Sequence, residues 1–204
     1  MTTTVELTRF RVAPERTGEL LAARPGMLAG FREGRPGFLG ARLHALTEVE
    51  LAASGLGWTV VRPAFFMQNL FGSVSGGILY GPTGEGRMSL IDVRDIAAFS
   101  ARVLADPGPH HGRTYTITGP ESISLREAAA RIGAGYQPVS PEDAHQAMLQ
   151  AGLPEWDAAV NVEYARAYAR NWGDYVTGDF AEVMGRAART FDEFAADHRE
   201  RLGG

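Results

Sequence analysis

The sequence contains neither cysteine nor lysine. The first absence excludes disulfides, thiolate zinc sites, iron–sulfur clusters and cysteine nucleophiles. The second excludes Schiff-base chemistry, a P-loop lysine and a Tyr-x-x-x-Lys proton relay; the 20 Lys+Arg residues are all arginine. A lysine-free chain rich in alanine, glycine and arginine is what a GC-rich genome tends to encode. No apolar run approaches the ~20 residues that span a bilayer. Residues 1–6 lack the basic and apolar regions of a signal peptide. A cytoplasmic protein without a membrane segment is therefore expected.

What is present is an ordinary globular composition. Of 204 residues, 45% are apolar and 22% charged, enough to bury a core without staples. The net charge of −4 is unevenly spread. Residues 1–46 hold seven arginines against four glutamates, and residues 47–204 hold thirteen arginines against twenty acids. Neither part has a dense basic cluster, so nucleic acid is not an expected partner. The change of sign fits two segments, 1–46 and 47–204.

The first segment reads as strand, helix, strand: a β-prone run over residues 5–12, a helix after Pro14, and a period-two strand over 38–46. In the second, Thr47 and Glu50 form a capping box. Residues 58–61 read as a strand buried on both faces, ended by Arg62 and Pro63. Residues 65–71 read as helical and the glycine-rich stretch 72–87 as a loop. Strands follow at 88–91 and 113–118. Helices are expected after Asp92, after Ser124 with Glu127 three residues on, after Ser140, from Pro154 to Trp172, over 180–186, and after Thr190 with Glu193. Strands 58–61, 88–91 and 113–118 should form a parallel sheet. Its open edge makes a homodimer the expected assembly.

Three stretches carry a family resemblance: residues 56–69 (LGWTVVRPAFFMQN), 91–97 (IDVRDIA) and 112–121 (GRTYTITGPE). With the tail Thr190-Phe191-Asp192-Glu193-Phe194, Asp197 and His198, residues 48–204 resemble the C-terminal half of NmrA-like proteins. These are atypical short-chain dehydrogenase/reductase relatives that include NAD(P)H-dependent quinone oxidoreductase-like enzymes and NADP-sensing regulators. The resemblance implies an α/β, truncated Rossmann-like sheet with a helical C-terminal region. Residues 5–12 and 35–43 are similar to the first β-α-β of antibiotic-biosynthesis-monooxygenase-like proteins, which implies a ferredoxin-like half unit over 1–46. The first half of the NmrA-like pattern is missing. No Gly-x-Gly-x-x-Gly turn follows the first strand, where Ala13-Pro14-Glu15 stands instead.

The resemblance marks Pro63, Phe65 and Asn69 for an NAD or NADP cofactor, and Phe66 and Met67 for a substrate. Such ligands bind outside the carboxyl ends of parallel strands. The competing reading is that Pro63 only ends the strand and both phenylalanines are core. Tyr164, Tyr168 and Trp172 recur every four residues, as on one helix face. Together with Trp156, Tyr175 and Met148 they would wall a substrate pocket, or else pack the helix onto the body. Asp92, Arg94 and Asp95 fit a helix N-terminus better than a charged site. The Gly81–Gly86 loop precedes a strand and carries no lysine, the wrong context for a phosphate motif. His110 and His111 are adjacent and have no nearby ligand set, so no metal is expected. His44 reads as a partly exposed strand residue.

The reading that results is an NmrA-like NAD(P)-binding oxidoreductase relative. It would act on a quinone-like or other conjugated carbonyl small molecule, with dinucleotide binding weakened or lost. Two alternatives stand beside it. One is a cofactor-independent oxygenase or cyclase of aromatic polyketide metabolism. The other is a non-catalytic small-molecule-binding or NADP-sensing protein. No catalytic acid or base is evident.

Overall fold

The computed structural model describes residues 48–203. The monooxygenase-like segment, His44 and the Thr47 cap lie outside the described residues. Residues 48–53 are helical, and Leu51 anchors that turn in the interior. β1 (Thr59–Pro63) follows, with Val60 buried. Its β-branched residues suit a strand covered on both faces. β1 lies parallel to β6 (Arg113–Ile117), with Val61 opposite Tyr115 and Pro63 opposite Ile117.

Residues 65–71 are not an α-helix. The Ala64 N–H donates to Ile117 O at 2.9 Å, and β2 (Phe65–Phe66) then pairs in parallel with Leu90 and Ile91 of β5 (Arg87–Ile91). Only Met67–Leu70 winds, as a single 3-10 turn. Backbone pairing with β5 outweighs the local helical preference. The glycine-rich stretch also carries structure. β3 (Val74–Ser75) and β4 (Ile78–Gly81) form a hairpin in which Ser75 faces Ile78. The two residues between them, Gly76 and Gly77, have φ of 56° and 74°. A two-residue hairpin turn needs this left-handed backbone, which glycine adopts without strain.

β5 is the most heavily paired strand. β7 (Ser122–Ser124) runs antiparallel to it, and Met88 is paired with Ile123 and bridged to Gly173. β8 (Gly135–Pro138) lies parallel to β4. Seven helices complete the described chain: α1 (Val93–Ala105), α2 (Leu125–Arg131), α3 (Pro141–Gln150), α4 (Glu155–Ala169), α5 (Asp179–Met184), α6 (Phe191–Asp197) and α7 (Arg199–Leu202). Of the three expected capping boxes, the two that lie among the described residues form, at Ser124 with Glu127 and at Thr190 with Glu193.

The core has two parts, because alternate residues of a strand face opposite ways. Met88 and Leu90 enter a cluster with Met67, Leu79, Ile123, Phe191 and Phe194. Ile91 joins Phe99, Tyr115, Ile117 and Phe180 in the other. Among the described residues, β1 has β6 as its one strand partner. None of the described helices is long and apolar enough to cross a membrane.

Candidate functional site

Two groups of residues stand out at the ends of the strands, and they differ in kind. The first is charged. Asp92 caps α1 and is fully buried. Its carboxylate accepts from the Arg94 N–H at 2.8 Å, from Arg94 Nε at 2.9 Å and Nη2 at 2.6 Å, and from Gln68 Nε2 at 2.8 Å. Burial alone would raise its pKa, but the bonds from Arg94 and Gln68 hold it below the ordinary carboxylate range. Asp95, also fully buried, accepts from Arg186 Nη2 at 2.8 Å, Arg189 N–H at 2.6 Å and Arg189 Nη1 at 2.5 Å. Both acids sit where the helix dipole favours negative charge. They tie the C-terminal segment to α1, and each already has partners for its charge.

The second group is aromatic. On α4, Ala158, Val162 and Ala165 face inward, while Tyr164 and Tyr168 stack one turn apart at 6.5 Å. Phe65 meets the Tyr168 ring edge-on at 5.6 Å. Trp172 lies beyond the helix, yet its ring stands 5.7 Å from Tyr168 and 6.3 Å from Tyr164. The helix stop places it there. Asn171 takes the left-handed conformation, with φ 62°. Its N–H then donates to Tyr168 O at 2.8 Å, and the Trp172 N–H to Ala167 O at 3.1 Å. This is the Schellman pattern, with asparagine in the place glycine usually fills. Two glycines let the wall approach the sheet. A Cβ at Gly86 would lie 2.0 Å from Tyr168 O, and one at Gly173 would lie 2.8 Å from the Tyr168 ring.

The wall is a partly buried aromatic cluster with one exposed edge: Phe65, Tyr164 and Tyr168 are half-buried, and Trp172 stands exposed. Trp172 is 54% exposed and Val176 50%. Burial raises the pKa of the Tyr168 phenol well above its ordinary value. Burial also raises that of Tyr175, and the nearby Arg62 guanidinium opposes that rise. Both phenols therefore stay protonated at neutral pH and can donate a hydrogen bond. Arg62, on β1, is held by both carboxylate oxygens of Glu48, one through Nε at 2.8 Å. This surface can stack a flat ring and donate hydrogen bonds to its oxygens or nitrogens.

The structure sorts the sequence-marked residues. Phe65, Tyr164 and Tyr168 meet, joined by Trp172, with Tyr175 beside Arg62. Pro63 is half-buried at the end of β1, and Asn69 is exposed on the 3-10 turn. Phe66 faces away into the second core cluster. Met67 is fully buried in the first. Met148 is half-buried on α3, which the Arg166–Glu142 ion pair at 2.9 Å and a His145 Nε2–Glu155 contact at 3.1 Å join to α4. Trp156 stands exposed on the first turn of α4, ~12 Å along the axis from Tyr164. The histidines part ways: His110 Nδ1 meets the Tyr115 hydroxyl at 2.7 Å, and His111 Nδ1 accepts from the Trp58 N–H at 3.3 Å. Among the described residues, no group of three histidines or acids could hold a metal ion.

A dinucleotide needs a pyrophosphate cradle, usually a glycine-rich turn between a strand and a helix. Among the described residues none has that form, since the 81–86 turn joins β4 to β5. The described residues therefore hold no cradle of that form for a dinucleotide's phosphates.

No family model matches the chain. It is 41% identical over 168 residues to the NAD(P)H azoreductase of Xenophilus azovorans, covering 76% of this chain and 57% of that protein. Its fold matches the NADPH-dependent quinone oxidoreductase of Escherichia coli with a TM-score of 0.68 at 24% identity, over 77% of this chain and 60% of that one. It also matches a mutant NmrA, with a TM-score of 0.55 at 15% identity over 76% and 56% of the two chains. The chain thus has an NmrA-like, Rossmann-related α/β fold and spans a little over half the length of the relatives it matches.

Proposed function

We infer that residues 47–204 form the substrate-side half of an NmrA-like, NAD(P)H-dependent oxidoreductase that acts on quinone-like or other planar conjugated molecules. The observation that carries this reading is the wall of Phe65, Tyr164, Tyr168 and Trp172 at the carboxyl end of β1. It stands in a chain 41% identical to an azoreductase. Exposed aromatic surface on a fixed backbone favours a flat, apolar ligand at little ordering cost.

In this reading Pro63, Phe65 and Asn69 border the cofactor ring, and the tyrosines and Trp172 cover the substrate. When bound, the nicotinamide would supply the reducing equivalents. The chain's own residues stack the substrate, exclude water from one face and donate hydrogen bonds from the Tyr168 and Tyr175 phenols. Met148 and Trp156 are kept as a more distant part of the wall and Met67 as its support from beneath, while Phe66 faces the other core cluster. A homodimer belongs to the same reading, supported by the edge of β1 that no described strand covers.

Calorimetric titration with NADPH, NADH and menadione, a planar naphthoquinone, tests the reading. Micromolar binding of menadione together with either dinucleotide supports a reductase. Menadione binding without dinucleotide binding at millimolar concentration favours the non-catalytic alternative. No binding of any of the three removes the reading.

A further inference from the structure

The segment that follows α4 is stitched to the sheet far more heavily than an exposed loop requires. The Asn171 side-chain oxygen accepts from the Arg87 N–H at 2.9 Å. Gly173 O accepts from the Ser89 N–H at 2.9 Å. Asp174 accepts from the Ser122 hydroxyl at 2.7 Å and stands 3.8 Å from Arg87 Nε. The Thr177 N–H donates to Thr118 Oγ1 at 3.1 Å, and the Thr177 hydroxyl donates to Thr116 O. Asn171 is also the one described residue other than glycine with a positive φ. Such a conformation costs free energy and persists only where its surroundings over-determine it. Between these anchors the chain exposes Trp172, Tyr175 and Val176.

Arg87 is where the anchors converge. Its backbone N–H holds Asn171, and its guanidinium faces Asp174. Its Nη1 donates to both oxygens of Glu127, at 2.8 Å and 2.7 Å, and Nη2 donates to Ser122 O. One side chain thus links β5, β7, the first turn of α2 and the loop that carries the indole.

We propose that Arg87 is a positioning residue for the aromatic wall: acting through Asp174, it fixes the 171–177 segment so that Trp172 and Tyr175 present a preformed face to a planar ligand. Its consequence for ligand binding rests on the oxidoreductase reading; its consequence for the loop does not. A face already in place loses little freedom on binding, and small misplacements of such a face are costly.

The experiment compares the whole protein with Arg87→Met, Arg87→Lys and Asp174→Ala. Asp174→Ala removes the loop's side of the contact, together with the bond from the Ser122 hydroxyl, and leaves the Arg87–Glu127 pair and α2 in place; Arg87→Met keeps the Ser122 bond and so separates the two. Two readouts are taken: amide hydrogen exchange over residues 170–178, and calorimetric affinity for menadione. The expected result is faster exchange confined to that segment in Arg87→Met and Asp174→Ala, with α1 unchanged. Menadione should bind about tenfold more weakly in both, and Arg87→Lys should recover part of the loss. Unchanged exchange over 170–178 in Asp174→Ala overturns the proposal, even if Arg87→Met fails to fold. Faster exchange with unaltered menadione affinity overturns the link to the ligand. Failure of the wild type to bind menadione sinks the functional reading instead, and the exchange data still decide whether Arg87 holds the loop.

Discussion

The carboxylates beneath α1 and the aromatic wall beside α4 both break the usual rule for where residues belong, in opposite directions. Asp92 and Asp95 are charged and fully buried; Trp172 and Val176 are apolar and about half exposed. Yet the buried acids are satisfied within the chain, by three arginines, two backbone N–H groups and Gln68. Trp172 and Val176, at the edge of the wall, keep about half of their surface in solvent. A buried charge that finds its partners at home explains itself as architecture. An exposed apolar face on a rigid backbone has only half of its explanation inside the molecule.

Three measurements bear on that contrast. The largest effect should come from Asp95→Ala, which strips the carboxylate from Arg186 and Arg189. A loss of about 3 kcal/mol in urea unfolding is expected, at the low end for a broken buried pair because both arginines reach solvent. A loss confined to ligand affinity, with the urea midpoint unmoved, would reverse the roles assigned to the two regions.

Trp172→Ala should act mainly on the ligand. Stability should fall by about 1 kcal/mol, well below the Asp95→Ala effect, because the half-exposed indole still packs on Tyr164 and Tyr168. Calorimetric affinity for menadione should fall about tenfold, or ~1.4 kcal/mol. A destabilised protein that binds normally would make the wall ordinary packing.

The smallest effect concerns pH. The folded-state pKa of Asp92 is depressed, so its contribution is present above the unfolded value of about 4 and is lost as pH falls through the lower folded value. Stability followed by urea unfolding should therefore hold from pH 7 to about 5 and decline in stronger acid. Asp92→Asn should flatten that decline. An equal acid slope in the variant would remove Asp92 as its source.

Much of this was legible from residue order. Strand β1 stands out as an apolar-leaning run, β5 and β6 lie where short strands are expected, and the capping boxes at Ser124 and Thr190 announce α2 and α6. The four-residue spacing of Tyr164, Tyr168 and Trp172 foretells one cluster. It does so for a partly different reason, since Trp172 arrives through the helix stop and not along the helix. The helix expected at 65–71 fails because β5, more than twenty residues away, claims the backbone of Phe65 and Phe66. That extended pairing also turns Phe66 away from the wall that Phe65 joins. β8 and β7 escape notice because a Gly-Tyr-Gln-Pro edge strand and a three-residue strand lack any periodic pattern. Arg87, Asn171, Gly173 and Asp174 belong to no motif, and their roles exist only once distant segments have met.

The anchors of the 171–177 segment have a consequence for how the molecule assembles. Arg87 and Asn171 are 84 residues apart in sequence, Thr116 and Thr177 are 61 apart, and Ser122 and Asp174 are 52 apart. Contacts of such separation reward the chain only after long loops have closed, so they form late and slow the search for the native state. The face that would meet a ligand is thus among the last surfaces to take shape, and a nascent chain that already holds every strand of the sheet still lacks it.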